Sequence, residues 1–166
     1  MDEIAALIEP HIPALRRYAW SLLRDQDAAD DLVQDALERA VGRWQLRRRD
    51  GSVRAWLFAI LHNHFISQTR TQRRRGPHVE YEDDVASPAA PPDGRLLLRD
   101  VLAGLDTLPE EQRAVLLLVG GEEFDYAEAA RILGVPVGTV MSRLSRGRER
   151  LRLQLDAEAP KLRRVK

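Results

Sequence analysis

FDYAEAARILGVPVGTVMSRLSRGRER, residues 124–150, reads as two short helices folded against each other across a single glycine. Ala129 and Ala130 are small enough to let a second helix cross closely. Gly134 suits the left-handed residue of the turn, and Val135, Val140 and Leu144 fall where a small core is needed. Asp125 and Glu128 have the spacing of a capping box at the start of the first helix. The second helix then presents Thr139, Met141, Ser142, Arg143, Ser145 and Arg146, with Arg148 and Arg150 following. Short polar residues near a helix start can approach base edges, and arginines can hold phosphates. The pattern is that of a helix-turn-helix reading a major groove. A helical hairpin with a solvated basic face is the plainer alternative.

Outward from this unit the apolar residues keep helical spacing throughout, and no segment alternates as a strand would. Pro109 followed by Glu110 and Glu111 predicts a helix start over 109–119, after one at about 96–106. Nearer the N-terminus, helices are predicted from Ile12 to Leu22, from about Ala28 to Trp44, and from Val53 to Gln72. In the last of these Trp56, Leu57, Ile60, Leu61 and Phe65 point inward. Between the halves, residues 76–95 carry Pro77, Pro88, Pro91 and Pro92 among Glu80, Glu82, Asp83 and Asp84, without apolar period. That composition is a linker. The expected fold is all-α, two small helical domains at 1–75 and 96–166. A flexible chain over 76–94 spans on the order of 25 Å, so the halves are expected to sample open and closed arrangements with no fixed interface. In the closed form, the helix-turn-helix is expected to face the acidic 27–38 helix.

The 166 residues suit one domain or two small ones, and 26 basic against 26 acidic side chains give a formal net charge of zero. The balance conceals segregation. Residues 27–38 carry five acids and no base, 39–75 sum to +9, and 131–166 sum to +7. Two basic blocks, each after an acidic one, look like two contact surfaces for a polyanion. With no cysteine there is no disulfide framework and no thiolate site. No apolar run reaches the roughly 20 residues of a membrane span. Met1-Asp2-Glu3 does not begin a signal peptide, so the cytoplasm is the expected compartment.

Two further stretches carry chemistry. In ADDLVQDALERA, residues 29–40, Asp31, Gln34 and Glu38 continue from Asp27 along one face, opposite Leu32, Ala36, Leu37 and Ala40. Acids without basic partners one turn away weaken an isolated helix, so a basic partner or plain solvation must balance them. In QLRRRDGSVRAWLFAILHNHFISQTRTQRRR, residues 45–75, Asn63, Ser67, Arg70 and Arg74 share a helical face, and Arg47, Arg48 and Arg49 sit in the loop before it. Amides and hydroxyls among arginines suit unstacked bases and their backbone. His62 and His64 lie about 200° apart on a helix, since each residue turns about 100°. They are read as ordinary helix residues, with no metal and no cofactor. No nucleophile, metal cluster or phosphate loop is legible, so an enzyme is the least expected class.

These stretches, in this order, resemble bacterial RNA polymerase sigma factors of the extracytoplasmic-function (ECF) group. ADDLVQDALERA is similar to the segment that binds core polymerase, RAWLFAILHNHFISQTRTQRRR to the −10 segment, and LDTLPEEQRAVLLLV with FDYAEAARILGVPVGTVMSRLSRGRERL to the −35-reading region. The resemblance implies that Asp31, Gln34, Asp35 and Arg39 meet the clamp helices of core polymerase. It implies that Asn63 contacts the single −10 strand beside Ser67, Arg70 and Arg74. The Gln45–Ser52 loop with Arg48 then receives a flipped base, and Thr139, Ser142, Arg143 and Arg146 enter the −35 groove. Met141 departs from the family, where a basic residue is common. RAWLFAILHN and LLLVGGEEFDYAEAA also resemble the general-stress subgroup, whose members are held by a small helical anti-sigma protein. The implied partners are core RNA polymerase, promoter DNA and an anti-sigma factor, with no insertion in a membrane. Two other readings stand beside this one: a dimeric helix-turn-helix transcriptional regulator acting without core polymerase, and a helical protein-interaction module.

Overall fold

The computed structural model describes residues 1–75 and 92–163, with side chains described to 75 and from 98 to 157. Among the described residues every regular element is helical. The order is α1 Asp2–Ile8, α2 Ile12–Leu23, α3 Gln26–Gly42, α4 Val53–Arg75, α5 Pro92–Asp106, α6 Glu110–Leu116, α7 Tyr126–Leu133 and α8 Val137–Arg163. Short turns at Glu9–His11, Trp44–Leu46 and Leu117–Gly121 join them. The linker expected over 76–95 lies mostly outside the described residues. Its last positions belong to α5, which begins at Pro92 rather than at 96.

The local signals act as their chemistry requires. Asp25 opens α3 by accepting from the Ala28 amide. Arg24, at φ 57°, ends α2 in the left-handed conformation and lies over the Trp20 ring. Asp125 and Glu128 form the reciprocal capping box of α7. Gly134, at φ 66°, closes that helix, and the Val135 amide reaches back to the Ala130 carbonyl. Pro109 stands one residue before α6, at its cap and not inside its first turn. Short α1 precedes the first helix that apolar spacing predicts, and only Ile8 of it is buried.

A single apolar core runs through both halves. Leu15, Tyr18, Leu32, Leu57, Phe58 and Leu61 fill its first half, and Val115, Leu118, Ile132 and Val140 its second. The two meet where Phe58 and Phe124 pack edge to face, with ring centroids 5.0 Å apart. The expectation of halves without a fixed interface is therefore corrected. Phe58 and Phe124 bury apolar surface between the halves, which favours this arrangement over the others the connecting chain would allow. The expected approach of the helix-turn-helix to the acidic α3 is corrected too. It is α7 that packs on α4, and α6 that packs on α2.

The histidines of α4 are core residues, whereas Trp56 and Ile60 are only half-buried. His62 Nδ1 and the Tyr18 hydroxyl hydrogen-bond at 3.0 Å inside the core. Burial, reinforced by the positive charge of Arg143, lowers the His62 pKa from 6.5 to about 4. The folded chain thus favours neutral His62. Its contribution to stability is complete above about pH 6.5 and is lost as pH falls towards 4. The loss is on the order of 3 kcal/mol. Urea unfolding at pH 7 and pH 4.5 reads it directly, and His62→Gln flattens the profile over that interval.

Candidate nucleic-acid interface

Helix α3 carries the acidic face. Ala29, Leu32, Val33, Ala36 and Ala40 are buried against α2 and α4, which turns Asp31, Gln34, Glu38 and Arg39 outward, all exposed. Asp35 differs from its expected place among them. It sits half-buried at the seam with α4 and accepts a hydrogen bond from His64 Nε2 at 3.1 Å. The two-residue spacing of His62 and His64 therefore sends one ring to Tyr18 and the other to Asp35. Sequence reading missed this pair, because a histidine on a helix gives no sign of the acid across the seam.

Along α4, Leu57, Phe58, Leu61 and Phe65 face the core, and Asn63, Ser67, Arg70 and Arg74 are exposed together on the opposite side. The loop before it is built on aromatic rings. Trp44 and Trp56 pack edge to face at 5.8 Å, and the Arg47 guanidinium covers Trp44 at 4.5 Å. Arg47 is thus engaged in holding the loop, whereas Arg48 and Leu46 project from it, Leu46 with 82% of its surface free. Ser52 fixes the loop's far end by accepting from the Ala55 amide. The loop presents a cation, and the helix after it an exposed face of amides, hydroxyls and arginines, groups that suit an unstacked strand.

The helix-turn-helix occupies α7 and α8. Val140 and Leu144 bury one side of α8, and Gly147 lies against Leu116 where a Cβ would come within 3.1 Å. Met141, Ser142, Ser145 and Arg146 are exposed. Thr139 and Arg143 are not: both are half-buried, and Arg143 is 3.8 Å from the Glu111 carboxylate. The expected fully open reading face is corrected at these two positions. Arg143 also lies near enough to α4 for its charge to act on His62. Among the described residues no cluster of ligating side chains could hold a metal. No helix there is long and apolar enough to cross a membrane.

Comparison with known proteins gives this arrangement its family. Residues 8–62 match the Sigma2 domain of PhyR, and residues 98–151 match Sigma-70, region 4. The chain is 40% identical over 151 residues to the ECF RNA polymerase sigma factor EcfG of Rhodopseudomonas palustris, covering 90% of this chain and 81% of that one. It is 35% identical over 160 residues to the ECF RNA polymerase sigma factor SigL of Mycobacterium tuberculosis, covering 90% and 87%. Among solved structures, the sigma factor RpoE in complex with the anti-sigma factor NepR from Bartonella quintana matches with a TM-score of 0.82 at 34% identity, over 94% of this chain and 98% of that one. CnrH in complex with the cytosolic domain of CnrY matches with a TM-score of 0.70 at 28% identity, over 94% and 89%. A relative 40% identical over nine-tenths of this chain and a region 4 match over the helix-turn-helix agree, and the chain belongs to the ECF RNA polymerase sigma factors.

Proposed function

We propose that this sigma factor divides its work between residues 1–75, which dock on core polymerase and take the −10 strand, and 96–166, which read the −35 duplex, with 76–95 joining them. Asp31, Gln34 and Arg39 form the docking face, with Asp35 at its inner edge. Asn63, Ser67, Arg70 and Arg74 hold the single strand, and Arg48 lies beside a base received by the loop. Thr139, Met141, Ser142, Arg143, Ser145 and Arg146 form the −35 surface. The observation that carries this division is the separation of the exposed faces, acidic on α3 and basic on α4 and α8, around one shared core. The chain acts by binding, without catalysis and without cofactor, in the cytoplasm where polymerase works. The likeness to RpoE solved with the anti-sigma factor NepR supports an anti-sigma partner, and the likeness to the PhyR stress response regulator supports a place in a stress response.

The −35 assignment has a sharp test. Arg143→Ala or Arg146→Ala is expected to weaken initiation by about 1–3 kcal/mol where the arginine reads a base, and to relax preference at that base pair. Initiation rates measured on a set of −35 variants distinguish the roles. Loss confined to one base pair marks readout, and equal loss on every variant would reduce the residue to a phosphate contact.

A further inference from the structure

Glu122 is the most deeply placed acid of the described chain, with only 4% of its side chain exposed. It follows the turn Leu117–Gly121, where its amide bonds to the Leu117 carbonyl at 2.8 Å. Two arginines of the other half converge on it. Arg17 of α2 donates from Nε and Nη2 to the two carboxylate oxygens, each at 2.9 Å. Arg54 of α4 donates to Oε2 at 3.2 Å and to the Glu122 backbone carbonyl at 2.7 Å. The Arg54 guanidinium also covers the Phe124 ring at 4.1 Å. Around this centre, Arg73 meets Glu110 at 3.2 Å, Arg24 meets Asp106 at 3.7 Å, and Arg113 donates to the Leu22 carbonyl at 3.2 Å. In every ion pair across the seam among the described residues, the first half supplies the arginine and the second half the acid.

A carboxylate is tolerated in such a place only while its partners hold it, so Glu122 is buried because the halves are together. The same arrangement leaves Asp31, Gln34, Arg39, Asn63, Ser67, Arg70 and Arg74 exposed, and Met141, Ser142, Ser145 and Arg146 on α8 as well. The −10 and −35 elements, about 25 base pairs apart by name, are separated by roughly 85 Å at 3.4 Å per pair. Helices in direct contact cannot reach both. We infer that Arg17, Glu122 and Arg54 form a latch that holds the chain closed, ready to meet core polymerase but unable to engage both promoter elements at once until the halves part. The function of the opened chain rests on the sigma-factor reading; the latch itself does not.

The full chain has no cysteine, so Val41→Cys and Arg131→Cys, both at exposed positions, carry paired spin labels without interference. With the latch intact, one short and narrow distance is expected. Arg17→Glu sets a second carboxylate against Glu122 at a side chain 61% exposed, where the fold tolerates it. That variant and Glu122→Arg are expected to broaden and lengthen the distribution, and the exchange Arg17→Glu with Glu122→Arg to restore it. Opening is also expected to raise the free chain's affinity for a promoter duplex that carries both elements, with the −10 strand unpaired, roughly tenfold, as the competent fraction rises. An unchanged short distance in Arg17→Glu, with helicity intact, overturns the latch. Label distances that respond as expected, with duplex affinity unmoved, would keep the latch and count against the −35 assignment instead.

Discussion

Asp31→Arg combined with Arg39→Glu is expected to weaken association with core polymerase by roughly a hundredfold or more, with the helical content unchanged. The two substitutions reverse the charge at both ends of the exposed α3 face and leave the net charge of the chain as it was. Close charge pairs across an interface contribute about 1.5–7 kcal/mol each, so reversing two of them exceeds what the rest of the face can offset. Both side chains are exposed and make no ion pair among the described residues, which keeps stability out of the measurement. Asp35 is a poorer site for this test. A long cation there would displace the hydrogen bond from His64 and disturb the α3–α4 seam. Co-elution with core reads the effect, and retained binding by the double variant would count against the docking role of this helix.

Phe58→Ala is expected to cost about 3–5 kcal/mol, a large part of the stability of a chain this size. Phe58 has none of its surface exposed and packs against Tyr18 at 5.3 Å and Phe124 at 5.0 Å. Its removal leaves a cavity where the two halves share their core, so the halves are expected to lose cooperativity as well as stability. Urea unfolding followed by tryptophan fluorescence and by far-UV circular dichroism tests both. All three tryptophans, Trp20, Trp44 and Trp56, lie in the first half, whereas the helices span the chain. Transitions that coincide in the parent chain and separate in the variant are the expected result. A loss below about 1 kcal/mol would contradict the shared core.

Helices α2 to α8 are legible in the sequence because each depends on neighbours three and four residues away, whereas α1, with Ile8 alone buried, is not. The capping box at Asp125 and the turn at Gly134 are local chemistry and stand where the sequence predicts them. The acidic face of α3 and the polar face of α4 follow from period alone. What the sequence conceals is long-range pairing. Nothing beside Glu122 distinguishes it from Glu123, yet one is buried between Arg17 and Arg54 and the other is exposed. Those arginines lie 105 and 68 positions away along the chain, beyond any pattern of spacing. Phe124 looks like the first apolar residue of a helix-turn-helix and proves to be the contact with Phe58. The same limit explains Asp35, whose partner lies across a seam, and Arg143, which stands 3.8 Å from Glu111 on another helix.

Run-off transcription from a genomic promoter library, with core polymerase and the purified chain, tests the sigma-factor account most directly. The account predicts starts only when both proteins are present. The selected promoters should share two separated motifs, and the free chain should bind the same duplexes poorly by itself. Tight binding to palindromic duplex by the isolated chain, with no new starts from core, would contradict it and would identify a dimeric helix-turn-helix regulator.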